Sequence, residues 1–219
     1  MKEKFLSIFN SEIPLSEKVS LYEDLCSKYS TQDRFYHTII HIENMINDLD
    51  LAWDHFVHSL KDSYENLQSA YNNLYLSIWF HDSIFDPKSK ENEINSADFT
   101  ASELQKLNYR ERDLKTICEL ILCTIHHRPM VDCDLYKLFL DIDLAILGKE
   151  VEEYNLYSKN IRKEYSHVPE EIYREKRKEI LESFLQKDQI FFTGYFQSKY
   201  EASARRNLNL EIKSLELHS

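Results

Sequence analysis

A chain of 219 residues, 42% of them apolar, can bury one sizeable core and sits near the upper end of common single-domain lengths. Two glycines and four prolines are too few for a sheet-rich protein with many tight turns, and no Gly/Ser/Pro-rich stretch marks a linker. The net charge of −11 argues against duplex nucleic acid or an anionic membrane as the main partner.

Helical periodicity runs through nearly the whole chain, and the expectation is eight to ten helices around one core. Pro14 and Ser16 open a helix through about Tyr29. The stretch from about Asp33 to Leu60 reads as one or two helices whose inward face includes Ile40, Met45 and Ile46. From about Ser63 to Phe85, Tyr71, Leu74, Tyr75, Ile78 and Trp79 recur at turn spacing until Asp86-Pro87 forbids continuation. After a polar loop come helices over Asn92–Leu107, Glu111–His127 (stopped by Arg128-Pro129) and Leu135–Leu147, with Gly148 as a C-cap candidate. Three more follow, at about Val151–Tyr165, at Glu170–Leu185 opened by Pro169, and from about Tyr195 onward.

No apolar run approaches the ~20 residues needed to cross a bilayer. Cys26, Cys118, Cys123 and Cys133 form no Cys-x-x-Cys pair, and Met1-Lys-Glu-Lys-Phe5 lacks the apolar run of a secretory signal, so reduced thiols in a cytoplasmic protein are expected. Charge is uneven along the chain. Residues 1–158 are strongly acidic and 159–206 mildly basic, which suits a part that holds cations followed by one that faces an anion.

The most informative residues are His81-Asp82, at the end of the apolar run Ser77-Ile-Trp-Phe80, because a buried imidazole and carboxylate side by side call for a cation. Upstream, His37 and His41 in Arg34-Phe-Tyr-His-Thr-Ile-Ile-His41 are four apart, so on a helix they address one cavity. Downstream, Leu140-Asp-Ile-Asp-Leu144 brings Asp141 and Asp143 in an apolar setting.

This order of His, His-Asp and Asp resembles the HD superfamily of metal-dependent phosphohydrolases. Tyr36-His-Thr-Ile-Ile-His41 resembles a segment of the cyclic-nucleotide phosphodiesterases, distant relatives in that superfamily. Trp79-Phe-His-Asp82, Asn92-Glu-x-x-Ser-Ala97, Thr124-x-x-His127, Arg162-x-Glu-Tyr165 and Ala204-Arg-x-Asn-Leu208 look like a bacterial group of predicted HD-superfamily phosphohydrolases. The likeness runs from about Arg34 to Leu208 and implies an all-α, single-domain bundle over residues 1–219, with a motif core at about 34–148 and C-terminal helices from about 149 packed on it.

By that resemblance His41, His81, Asp82 and Asp143 are the metal ligands, with Asp141 the second choice for the last position or an orienting carboxylate. Two imidazoles and two carboxylates suit Mn²⁺, Fe²⁺, Co²⁺, Ni²⁺ or Zn²⁺ better than Mg²⁺. His37 is placed like the acid histidine of the phosphodiesterase segment, and Glu93, eleven residues beyond the doublet, is a candidate base. His127 is an additional ligand if two ions are held, with His126 its rival for the inward position. Arg34 and Arg162 are expected to hold substrate phosphate, chosen from a set that also contains Arg128, Arg177 and Arg205.

The reading that follows is a phosphohydrolase or phosphodiesterase acting on a small phosphorylated metabolite or nucleotide. The alternative is a metal-containing module that senses a nucleotide or phosphate without turnover. A third reading, an HD-type oxygenase with two irons, needs further ligands.

Overall fold

The computed structural model describes residues 1–60 and 66–217, without the side chains of 58–60. Among the described residues it is all helical: α1 (Lys2–Ile8), α2 (Leu15–Lys28), α3 (Ile39–Leu60), α4 (Leu67–Phe80), α5 (Asn92–Lys106), α6 (Glu111–Cys123), α7 (Asp134–Leu144), a 3₁₀ turn (Ala145–Gly148), α8 (Val151–Glu164), α9 (Glu170–Leu185) and α10 (Gly194–Leu217). This is the all-α bundle that the periodicity predicts. The short α1, which the sequence pattern did not reveal, packs on α2 and puts Phe5 edge-on to the Trp79 ring. The predicted start near Ser63 of the fourth helix lies outside the described residues.

The centre of the bundle is α4. Every residue from Asn73 to Phe80 is buried, so the C-terminal half of this helix has no solvent face and is wrapped by its neighbours, with α3, α5, α6 and α7 all against the helix. It stops at Phe80, well before Pro87, because its last carbonyls find partners elsewhere. The Tyr29 hydroxyl donates to the Trp79 carbonyl at 2.9 Å, and the Arg34 guanidinium donates to the carbonyls of Asp82 at 2.7 Å and Ser83 at 3.1 Å. His81-Asp82 therefore sits just past the helix end, held there by a side chain from the segment before α3.

That segment departs from the expectation. Residues 33–38 form an irregular turn, and the helix begins at Ile39, so His37 precedes it while His41 lies in its first turn. The cause is a carboxylate from far along the chain. Glu164, at the end of α8, accepts the backbone N–H groups of Phe35, Tyr36 and His37 at 2.7, 2.7 and 3.0 Å, which fixes a non-helical backbone there. Ile40, predicted to face inward, is 63% exposed, whereas Met45 and Ile46 are buried as expected.

Helix ends follow the local chemistry elsewhere. Asn108 (φ 49°) and His127 (φ 45°) adopt the left-handed conformation, each followed by a residue whose N–H reaches back five positions: Tyr109 to Leu104 at 2.9 Å and Arg128 to Cys123 at 3.3 Å. The predicted helix over 111–127 thus ends its regular part at Cys123 and turns inward at His127 before Pro129.

Gly148 does not serve as the left-handed cap that its position suggests, since its φ is not positive. Its use is proximity. A Cβ built there would stand 2.3 Å from Tyr200 Cβ, so the 3₁₀ turn and α10 touch backbone to side chain, and the Asn207 amide ties them by donating to the Leu147 and Lys149 carbonyls at 2.9 Å each. Gly148→Ala should force this contact apart and lower the stability by about 1–3 kcal/mol, read from the midpoint of urea unfolding with the m-value unchanged.

Candidate metal centre

Four helix ends bring the ligand candidates together. His41 comes from the start of α3, His81 and Asp82 from the end of α4, Asp143 from the end of α7, and His127 from the left-handed turn after α6. His41 Nε2 and His81 Nε2 face each other at 3.2 Å, and Asp143 Oδ1 lies 3.6 and 3.7 Å from them. These three form a group whose ligand atoms lie within 4.8 Å of one another, able to hold a metal ion. Asp82 Oδ2 adds a fourth atom, 2.9 Å from His81 Nε2 and 3.8 Å from His41 Nε2. Donors on bonds of about 2.1 Å at right angles stand about 3 Å apart, so the spacings around the two imidazoles fit a shared ion.

The tautomers agree. His81 Nδ1 lies 2.9 Å from the Ile78 carbonyl, so a ring proton belongs on that nitrogen and Nε2 is the atom that faces the cluster, free to take a metal once its own proton is lost. Burial favours the neutral form of both imidazoles, and His41 is indeed lowered by burial and by the neighbouring His81. At His81 the charges of Asp82 and Asp143 and the hydrogen bond to Asp82 outweigh burial and raise it to about 9. Burial opposes the charge on Asp143 as well, yet hydrogen bonds to His127 and His41 hold its carboxyl well below the usual range, and His81 and His37 do the same for Asp82. Both carboxylates are thus ionised in a buried setting that asks for positive charge.

A cavity of about 200 Å³ opens over this floor and is lined by His37, His81, Asp82, Glu93, His127 and Asp143, among others. Of the two neighbouring histidines, His127 faces inward, with Nε2 3.3 Å from Asp143 Oδ2, while His126 is exposed. Asp143 therefore offers one oxygen to the His41–His81 pair and the other to His127. His37 reaches the cavity with Nε2 3.9 Å from Asp82 Oδ2, and its Nδ1 is 2.7 Å from Glu164 Oε2. Burial would lower its pKa, but the charges of Asp82 and Glu164 prevail and raise it.

Asp141 is not in this cluster. Its two oxygens accept the backbone N–H groups of Phe192 at 2.7 Å and Thr193 at 2.8 Å and the Thr193 hydroxyl at 2.5 Å, so it holds the approach to α10 on the opposite side of α7. Of the two carboxylates left open by the sequence, Asp143 is the one in the cavity.

Neither arginine expected on the phosphate wall is there. Arg34 is buried, and its terminal nitrogens are committed to the carbonyls of His37, Asp82 and Ser83. Arg162 closes the turn between α8 and α9, donating to Glu170 at 2.9 Å and to the carbonyls of Tyr165 and Val168, with its guanidinium over the Tyr173 ring. Arg205 likewise binds the carbonyls of Leu185, Lys187 and Asp188. The arginine that does line the cavity is Arg177 on α9, paired through two hydrogen bonds with Glu211 at 2.8 and 3.1 Å.

Sequence reasoning gave no role to Glu164, although it is the Glu of the Arg-x-Glu-Tyr165 segment. A glutamate in the last turn of a helix, where the dipole disfavours it, is the one local sign that it has distant donors. No family model, curated protein or solved structure matches the chain, so the likeness to the HD superfamily rests on the residues named above.

Two outcomes test this geometry. His81→Ala and Asp82→Ala should each retain the helical circular dichroism of the parent while losing most bound transition metal by elemental analysis; full occupancy in both would remove the ligand assignment. Glu164→Gln should cost about 2–4 kcal/mol in urea unfolding, because an amide cannot accept from three N–H groups and the His37 ring at once. The pKa of Glu164 lies below the usual glutamate value, so its contribution is complete above that value and is lost as the pH falls through the lowered one.

Proposed function

We propose that the protein is a metal-dependent phosphohydrolase or phosphodiesterase, acting on a small phosphorylated metabolite or nucleotide. The observation that carries this reading is the convergence of His41, His81, Asp82 and Asp143 on one cluster, the last three of them lining a cavity that also takes in His37 and Glu93. A divalent ion of the Mn²⁺, Fe²⁺, Co²⁺, Ni²⁺ or Zn²⁺ type, held by those four side chains, would polarise a water and withdraw charge from a phosphoryl oxygen. His127, at the second oxygen of Asp143, is the residue through which a second ion would be held.

The chain's own groups account for the protons. His37 is backed by Glu164 in the manner of an acid–carboxylate pair, with its Nδ1 on that carboxylate and its Nε2 toward the cavity, the nitrogen from which an acid proton would be given. In hydrolysis the water oxygen forms a bond to phosphorus, the ester P–O bond breaks, and His37 gives its proton to the departing alkoxide. Glu93 on the cavity wall accepts the proton that the water loses. A module that only senses phosphate needs neither His37 nor Glu93 in the cavity, and their presence favours turnover.

Phosphate release should be measured against alkyl, sugar and nucleoside phosphates with Mn²⁺, Co²⁺, Ni²⁺ and Mg²⁺. Turnover in the transition ions is expected; saturable phosphate binding with no release from any ester would favour the sensing alternative. His37→Ala should keep its metal and lose ~10²–10⁴-fold on esters with poor leaving groups, but less on a nitrophenyl ester, whose anion leaves unprotonated. Equal losses on both would mean that His37 positions the substrate and does not protonate it.

A further inference from the structure

Resting on the hydrolase reading, we infer that the cavity takes a phosphate ester of an apolar alcohol, the phosphoryl group on the His/Asp floor and the hydrocarbon along α8 and α9.

Beside the ligand cluster and the hydroxyls of Tyr36, Thr124 and Tyr157, the cavity has an apolar lining of Ile161 of α8, Ile180, Leu181 and Phe184 of α9, and Leu144 and Leu147. The Phe184 ring lies 6.0 Å from the His127 ring, so this wall begins where the ligand cluster ends. Ile180, 50% exposed, marks the mouth. A substrate anchored at the floor therefore runs outward over aliphatic and aromatic carbon.

The chemistry of this lining disfavours polar competitors. Among the described residues no lysine lines the cavity, and its one arginine, Arg177, is neutralised by Glu211 within the protein. Sugar hydroxyls or a nucleobase edge laid on Ile161, Ile180 and Phe184 would lose water without gaining a partner, at a cost that hydrocarbon does not bear. Hydrolysis is the step given above: water adds to phosphorus, the P–O bond to the alcohol breaks, and the alcohol leaves with the proton of His37. An aliphatic alkoxide is a poor leaving group, which is the case that needs this acid.

The test uses alkylphosphonates, which cannot be hydrolysed, titrated calorimetrically into the full chain with and without Mn²⁺. From methyl to pentyl the dissociation constant should fall about fourfold per methylene until the wall is covered, and a terminal hydroxyl should abolish the last increment. Ile180→Ser, at an exposed position that the fold tolerates, should flatten the series. An affinity independent of chain length, tighter binding of ribose 5-phosphate than of pentylphosphonate, or an undiminished series in Ile180→Ser would each overturn the proposal. The two readings fail separately: a chain-length series without turnover of any ester removes the hydrolase and keeps the wall, whereas turnover that favours nucleotides keeps the hydrolase and removes the wall.

Discussion

Two ionised carboxylates, Asp82 and Asp143, face one another's imidazole partners in the interior of a helical bundle, and the arrangement is tolerable only if positive charge accompanies them. Neither is near the other in sequence. Each arrives at the end of its own helix, and so do His41 and His127, so the bundle must bring four helix termini to one point before the charges can compensate. The surrounding structure can be understood as meeting that demand. The C-terminal half of α4 is buried on every side, which fixes His81 and Asp82, and the turn before α3 is pinned from α8 by Glu164.

The helices were legible because apolar residues recur at helical spacing and because Pro14, Pro87, Pro129 and Pro169 punctuate them. The His81-Asp82 doublet was legible for a different reason: a local pair of polar residues in an apolar run signals a demand that must be met somewhere. What the sequence could not disclose are partners distant along the chain. Arg34 and Arg162 have the composition of phosphate ligands, but their donors are taken by carbonyls at helix ends, and nothing local distinguishes a guanidinium serving backbone from one serving substrate. His37 was expected on a helix because four-residue spacing reads as helix; the carboxylate that makes it a turn lies 127 residues further on. His127 was favoured over His126 only through the resemblance, and the left-handed turn that aims it inward is visible only in the backbone.

The C-terminal helices do more than cover the core. Glu164 orients His37, Arg177 and Glu211 form a buried pair on the cavity side of α9 and α10, and the Tyr154 hydroxyl donates to the same Glu211. Tyr157 accepts from Arg177 and lies edge-on to Tyr36, whose ring is 4.8 Å from that of His41. One continuous path of packed side chains therefore joins the far helix to the ligand cluster.

Asp141 and Asp143 are separated by one residue on α7, hence by about 200° around its axis. Asp141 is anchored to the backbone of Phe192 and Thr193 on one side while Asp143 enters the cavity on the other. The helix is held like a spindle gripped at both faces. It cannot turn to carry Asp143 away from the imidazoles without tearing three hydrogen bonds on its reverse side, so the angular phase of a candidate ligand is set by residues that never approach the cavity.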